Sequence, residues 1–143
     1  LGDTREGTMA VRVAESMRIT HGTGGRIVNS EGQTDLEAWG RRAKWCDYSG
    51  PLGDRIAGIT LMDHPTNPRH ATWWMVRDYG LLAANPFGQH EFERLADSTA
   101  GEMRIPSGGS VTFRYRIILH KGDAETARVE DLYAEFAAPG EAR

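Results

Sequence analysis

The run Asp63-His64-Pro65-Thr66-Asn67-Pro68-Arg69-His70-Ala71-Thr72-Trp73-Trp74 is the densest concentration of polar and aromatic side chains in the sequence. An imidazole changes charge near neutral pH, and a neighbouring carboxylate can orient it. Asp63 and His64 are therefore a candidate acid–base pair. The two prolines stiffen the run and restrict the residue before each of them. A rigid loop directly after an apolar strand is a plausible place for Asn67 and Arg69 to hold a substrate. Arg69 and Arg77 can grip a hydroxyl or carboxylate through forked hydrogen bonds. A plainer role is also open: Asp63 and Asn67 can cap the turn through local side-chain bonds.

A second run, Asn29-Ser30-Glu31-Gly32-Gln33, offers Glu31 as a general base or as an acceptor for a ligand hydroxyl. Its structural alternative is a polar turn. Four tryptophans, Trp39, Trp45, Trp73 and Trp74, each supply a flat apolar face and one donor. Trp74 or Trp39 is the candidate stacking surface for a sugar ring or another planar ligand, with core packing as the alternative. On a strand, Trp73 and Trp74 point to opposite faces.

Metal chemistry has little support. His64 and His70 lie six residues apart, without the helical spacing of zinc proteases, and His21, His90 and His120 are scattered. No metal and no cofactor are expected. The lone Cys46 sits in a predicted strand with no feature that would lower its pKa. Gly22-Thr23-Gly24-Gly25 lacks the Lys-Ser/Thr of a phosphate loop and reads as a hairpin loop.

These residues need a framework, and the framework reads as β. Residues 111–120 alternate apolar and polar, which predicts a strand with one wet face carrying His120. Met9, Val11 and Val13 mark a similar strand. The apolar stretch 56–62 predicts a central strand covered on both sides. Residues 43–48 predict a strand that stops at Ser49-Gly50-Pro51, and residues 71–76 and 79–83 predict two more. Val129, Leu132, Tyr133 and Phe136 fall at helical spacing, so residues 124–137 predict an amphipathic helix, with a last strand as the alternative. Residues 89–95 predict one or two helical turns. The fold class expected is mainly β, an antiparallel β-sandwich with little helix. One domain spans residues 1–137, and residues 138–143 form a frayed tail.

The 143 residues suffice for one domain with its own core, and 39% hydrophobic with 26% charged residues is the composition of a globular protein. The net charge of −3 gives no basic field for a phosphate backbone, so no nucleic-acid partner is expected. No apolar run approaches the roughly 20 residues that cross a bilayer, so no membrane partner is expected. A single cysteine excludes an internal disulfide framework. The sequence opens Leu1-Gly2-Asp3 without Met, so a part of a longer polypeptide is expected. A cytoplasmic location is favoured, though any signal would lie upstream.

Several motifs resemble one known family. In order they are Gly2-Asp3-Thr4-Arg5-Glu6-Gly7, Asn29-Ser30-Glu31-Gly32, the run from Trp39 through Arg41-Arg42-Ala43-Lys44-Trp45-Cys46-Asp47-Tyr48 to Gly50, and Asp63-His64-Pro65-Thr66-Asn67-Pro68-Arg69-His70. Trp74, Arg77, Tyr79-Gly80-Leu81 and Asn85-Pro86-Phe87-Gly88 follow. Together they resemble the bacterial family of unknown function that often carries the label "PmoA" or "methane oxygenase". The resemblance implies the C-terminal half of a longer protein, a β-sandwich of the galactose-mutarotase type, and a setting near sugar metabolism. It also adds Asn85 to the substrate-binding candidates. A membrane copper oxygenase needs spans and several ligating histidines, and the sequence has no such span. The function expected is therefore carbohydrate binding or processing, as a hydrolase, lyase or epimerase working by general acid–base chemistry. Asp63, His64 and Glu31 would be catalytic, and a small carbohydrate would be the partner. The rival is a non-catalytic binding or scaffold module that docks a missing N-terminal half or a second copy.

Overall fold

The computed structural model describes residues 1–139. Of the expected tail, residues 140–143 lie outside the described residues. Seven strands form two antiparallel sheets: β1 Met9–Arg12, β2 Arg26–Asn29, β3 Trp45–Leu52, β4 Arg55–Asp63, β5 Trp73–Arg77, β6 Leu81–Asn85 and β7 Tyr115–Lys121. One sheet has the order β1-β6-β5 and the other β2-β3-β4-β7. This is the mainly β, sandwich-like architecture expected from the alternation in the sequence. Among the described residues two α-helices, α1 Gln89–Glu93 and α2 Val129–Ala137, and three short 3-10 helices complete it.

The core follows from period-two geometry. Cys46 and Tyr48 of β3, Leu61 of β4 and Ile27 of β2 face Trp74, Val76, Leu82 and Ala84 of the other sheet. The opposite faces are also covered. Trp45 and Met62 pack beneath Val129 and Tyr133 of α2. Trp73, Met75 and Ala83 pack beneath Phe92 of α1. β4 is thus buried on both sides along its second half, as a central strand should be.

Four local expectations need correction. β3 runs through Ser49-Gly50-Pro51 instead of stopping there. Gly50 is required, because a Cβ would lie 2.8 Å from the Met17 backbone. Pro51 is tolerated because β2 ends at Arg26, opposite Ser49, so β3 has no strand neighbour on that side beyond this point. The loop 22–25 is not a hairpin, since β1 and β2 on either side belong to different sheets. β7 starts at Tyr115, not at 111, because Arg114 is captured by Asn67: its amide donates to Asn67 Oδ1 at 2.6 Å.

The fourth correction concerns which face of β7 is wet. Ile117 and Leu119 pair with Leu61 and Ile59 on the inward face, yet they are 45% and 76% exposed. The three-stranded sheet does not extend over them. The other face lies beneath the segment that leads into α2. His120 is therefore sheltered, with only 7% of its side chain exposed. In 124–137 the helix prevails over the strand alternative, because its apolar stripe has an outer sheet face to cover.

Candidate functional site

The Asp63 loop gathers polar groups at the end of the four-stranded sheet, with a different pairing from the one expected. Asp63 is the last residue of β4 and is almost wholly buried. Its Oδ2 accepts from His70 Nδ1 at 2.8 Å and from the Thr72 amide at 3.0 Å. Its Oδ1 accepts from Asn67 Nδ2 at 2.7 Å. The imidazole on Asp63 is thus His70, seven residues on, and not the adjacent His64. His64 is turned away: its Nδ1 accepts from the Thr66 amide at 3.1 Å, and its ring meets Phe136 edge-to-face. The alternation of a strand sends neighbouring side chains to opposite sides, so sequence adjacency at a strand end does not make a pair.

With Nδ1–H donated to Asp63, neutral His70 carries its lone pair on Nε2. That nitrogen lies 3.4 Å from the hydroxyl of Tyr133 on α2, a long contact. Burial, aided by the charges of Asp63 and Glu130, pushes the Tyr133 hydroxyl up to about 12, so it stays protonated at neutral pH. The Lys44 ammonium lies 5.3 Å from the Tyr133 ring centroid and 2.7 Å from Glu130 Oε1. Glu130 Oε2 accepts from Trp45 Nε1 at 2.8 Å. Hydrogen bonds from Lys44 and Trp45 hold the Glu130 carboxyl below its ordinary range. The result is a chain of groups, Asp63–His70–Tyr133 with Lys44 and Glu130 alongside. It joins a buried carboxylate to an imidazole whose side chain is 20% exposed.

The other candidates are distributed around the fold. Asn67 is buried and holds Arg114 from both sides, donating to its carbonyl at 2.7 Å as well as accepting from its amide. Arg69 donates to the carbonyls of Pro86, Gly101 and Glu102, so its guanidinium ties the 86–102 loop to the site loop. Asn85 is buried and donates to Thr4 while accepting from the amides of Phe87 and Gly88. Trp74 is sealed between the sheets, with its indole N–H on the Ala43 carbonyl, and presents no face for stacking. Trp39 is half-buried on the far side of the sandwich, where Arg77 lies over its ring at 5.3 Å. Glu31 is exposed in the turn after β2, with Oε1 on the Ser30 hydroxyl. Among the sequence candidates, the structure therefore brings together Asp63, Asn67 and the His64 backbone. His70 was in the quoted run without a role. Lys44 carried no signal beyond its place in a motif, Tyr133 none beyond the amphipathic stripe, and Glu130 none at all.

A family model for a family of unknown function, DUF6807, matches residues 1–134. The chain belongs to that family. No curated protein and no solved structure matches it. Family membership at this level agrees with the expected family of unknown function and assigns no reaction to it.

This DUF6807 chain holds a second carboxylate–imidazole pair. Asp47 of β3 is completely buried, and its Oδ1 accepts from Thr60 at 2.6 Å and meets His120 Nε2 at 2.7 Å. The hydrogen bond and charge of Asp47 raise the His120 pKa against the opposing effect of burial. Cys46 beside it is fully buried, and burial with the Asp47 charge pushes its thiol well up, so it is inert as a nucleophile. Among the described residues, no three His, Cys, Asp or Glu side chains converge to hold a metal ion. No helix of the described residues is long and apolar enough to cross a membrane.

Proposed function

We propose that this chain binds a carbohydrate and acts on it by general acid–base chemistry, with His70 as the group that moves the proton. The observation that carries the reading is the Asp63–His70 bond of 2.8 Å, with the opposite ring nitrogen facing the Tyr133 hydroxyl. Asp63 fixes the tautomer, so Nε2 can accept a proton from a substrate O–H or activated C–H. Tyr133, held protonated, hydrogen-bonds the oxygen that gains charge or returns a proton to it. Lys44, paired with Glu130, lies 5.3 Å from the Tyr133 ring centroid and helps to position that ring. Hydrolysis, elimination and epimerisation of a sugar share this need for a positioned base and acid. The carbohydrate class is supported by the motif resemblance described above.

Trp45 lies next to Lys44 and bonds Glu130, so its fluorescence should respond to a ligand there. Titration with monosaccharides, sugar acids and keto-sugars should give one saturable response, followed by turnover that His70→Gln abolishes. A folded protein that answers to none of them would overturn the reading.

A second reading, a scaffold module, is favoured by one observation. β7 is an edge strand whose inward face exposes Ile117 at 45% and Leu119 at 76%. An uncovered apolar edge suits a second copy or a further part of a longer polypeptide. Sedimentation showing a dimer or larger would support it, and a clean monomer would count against it.

A further inference from the structure

The free edge of the four-stranded sheet combines apolar and charged side chains that the acid–base chain does not use. β7 pairs with β4 on one side, and no strand of the described residues pairs with its other side. Along such an edge every second residue turns its N–H and C=O away from the sheet, where they template a further strand. β7 offers this over seven residues, Tyr115–Lys121. Its inward row runs from Tyr115 to Ile117 and Leu119, and the last two are exposed. A strand added here would cover both.

The charges select the kind of strand. Residues 103–122 include Arg104, Arg114, Arg116 and Lys121 and no Asp or Glu, in a chain whose net charge is −3. Arg114, Arg116 and Lys121 are exposed. Arg114 donates to the Thr66 hydroxyl at 3.3 Å, and Arg116 lies 4.6 Å from the Phe136 ring centroid. Both partners are neutral, so both positive charges remain uncompensated. None of the three cations pairs with a carboxylate of the described residues. A second β7 laid alongside would double this positive charge and be repelled. A strand bearing Asp or Glu would neutralise it and be drawn in.

We propose that β7 is a docking edge for an extended acidic segment of a partner protein, which adds a strand to the sheet with apolar residues over Ile117 and Leu119 and carboxylates toward Arg116 and Lys121. The proposal is independent of the His70 chain. It goes beyond the scaffold reading, which gives the same edge to a second copy or a further part of the polypeptide.

Three labelled peptides as long as β7 test it by fluorescence anisotropy: Val alternating with Glu, Val alternating with Lys, and a scramble of the first with its Glu residues in one block. The Val–Glu peptide should bind saturably, and more weakly as salt is raised. The Val–Lys peptide and the scramble, which cannot place its Val residues on one face, should each bind about tenfold or more weakly. Leu119→Asp, which removes an apolar contact and adds a like charge, should weaken Val–Glu binding about tenfold or more. Arg116→Glu combined with Lys121→Glu should reverse the preference in favour of Val–Lys. All three positions are exposed, and a melting curve verifies that each variant is folded. Equal binding of the Glu and Lys peptides, no saturable binding, or undiminished binding to folded Leu119→Asp would overturn the proposal. So would sedimentation showing a dimer of the peptide-free protein that Leu119→Asp dissociates, which would give the edge to a second copy.

Discussion

Two carboxylate–imidazole pairs among the described residues have nearly equal length, 2.8 Å at Asp63–His70 and 2.7 Å at Asp47–His120, in contrasting settings. Asp47–His120 lies mid-sheet, with its donors on neighbouring strands and its imidazole almost sealed. Gly58 makes room for that imidazole, since a Cβ there would fall 2.2 Å from His120 Cε1. Asp63–His70 lies where the sheet ends and a two-proline loop begins, and its outer nitrogen faces a tyrosine on another element. The first pair is held by the regular ladder, so it stabilises. The second joins the end of β4 to the site loop, with its outer nitrogen 3.4 Å from the Tyr133 hydroxyl, and it is the pair to which the proposed function gives the proton transfer.

The contrast can be broken most severely at Asp47. Asp47→Ala strands Thr60 and a buried imidazole, and should destabilise the fold by about 3–5 kcal/mol in a denaturant titration. Gly58→Ala should cost about 1–3 kcal/mol by pushing His120 off Asp47, as overpacking does, and should leave the His70 end unaltered. Smaller again is a pH effect. The folded state raises the His120 pKa, so its contribution is present in full below about pH 6.5. It is lost as pH rises through the raised value. The melting temperature should fall across that interval, and His120→Gln should flatten the curve. The smallest effect expected is none: native Cys46 should resist a thiol reagent that labels it promptly after unfolding, because the thiol is buried and its pKa raised.

The sheets were legible in the sequence because their signals are local. Alternation placed Met9–Arg12, the apolar run placed β4, and the stripe at Val129, Leu132, Tyr133 and Phe136 placed α2. What was not legible depends on partners far along the chain. His120 read as wet because its strand alternates, and only the packing of the 123–137 segment reverses that. Asp63 read as a partner of His64 because they are neighbours, whereas His70 returns to it through the loop. Tyr133 read as helix core, and its nearness to His70 spans sixty-three residues. Arg69 and Asn85 are functional-looking residue types that serve backbone carbonyls and amides, and composition cannot distinguish a ligand's hydrogen bonds from the loop's own.

In the proposed function His70, not the His64 beside Asp63, moves the proton. The direct measurement is turnover of whichever sugar in the panel saturates the tryptophan signal, compared between His70→Gln and His64→Gln with folding verified for both. The account predicts a loss of about a hundredfold or more for His70→Gln, and a change within a few-fold for His64→Gln. Equal losses, or a larger loss at His64, would contradict it.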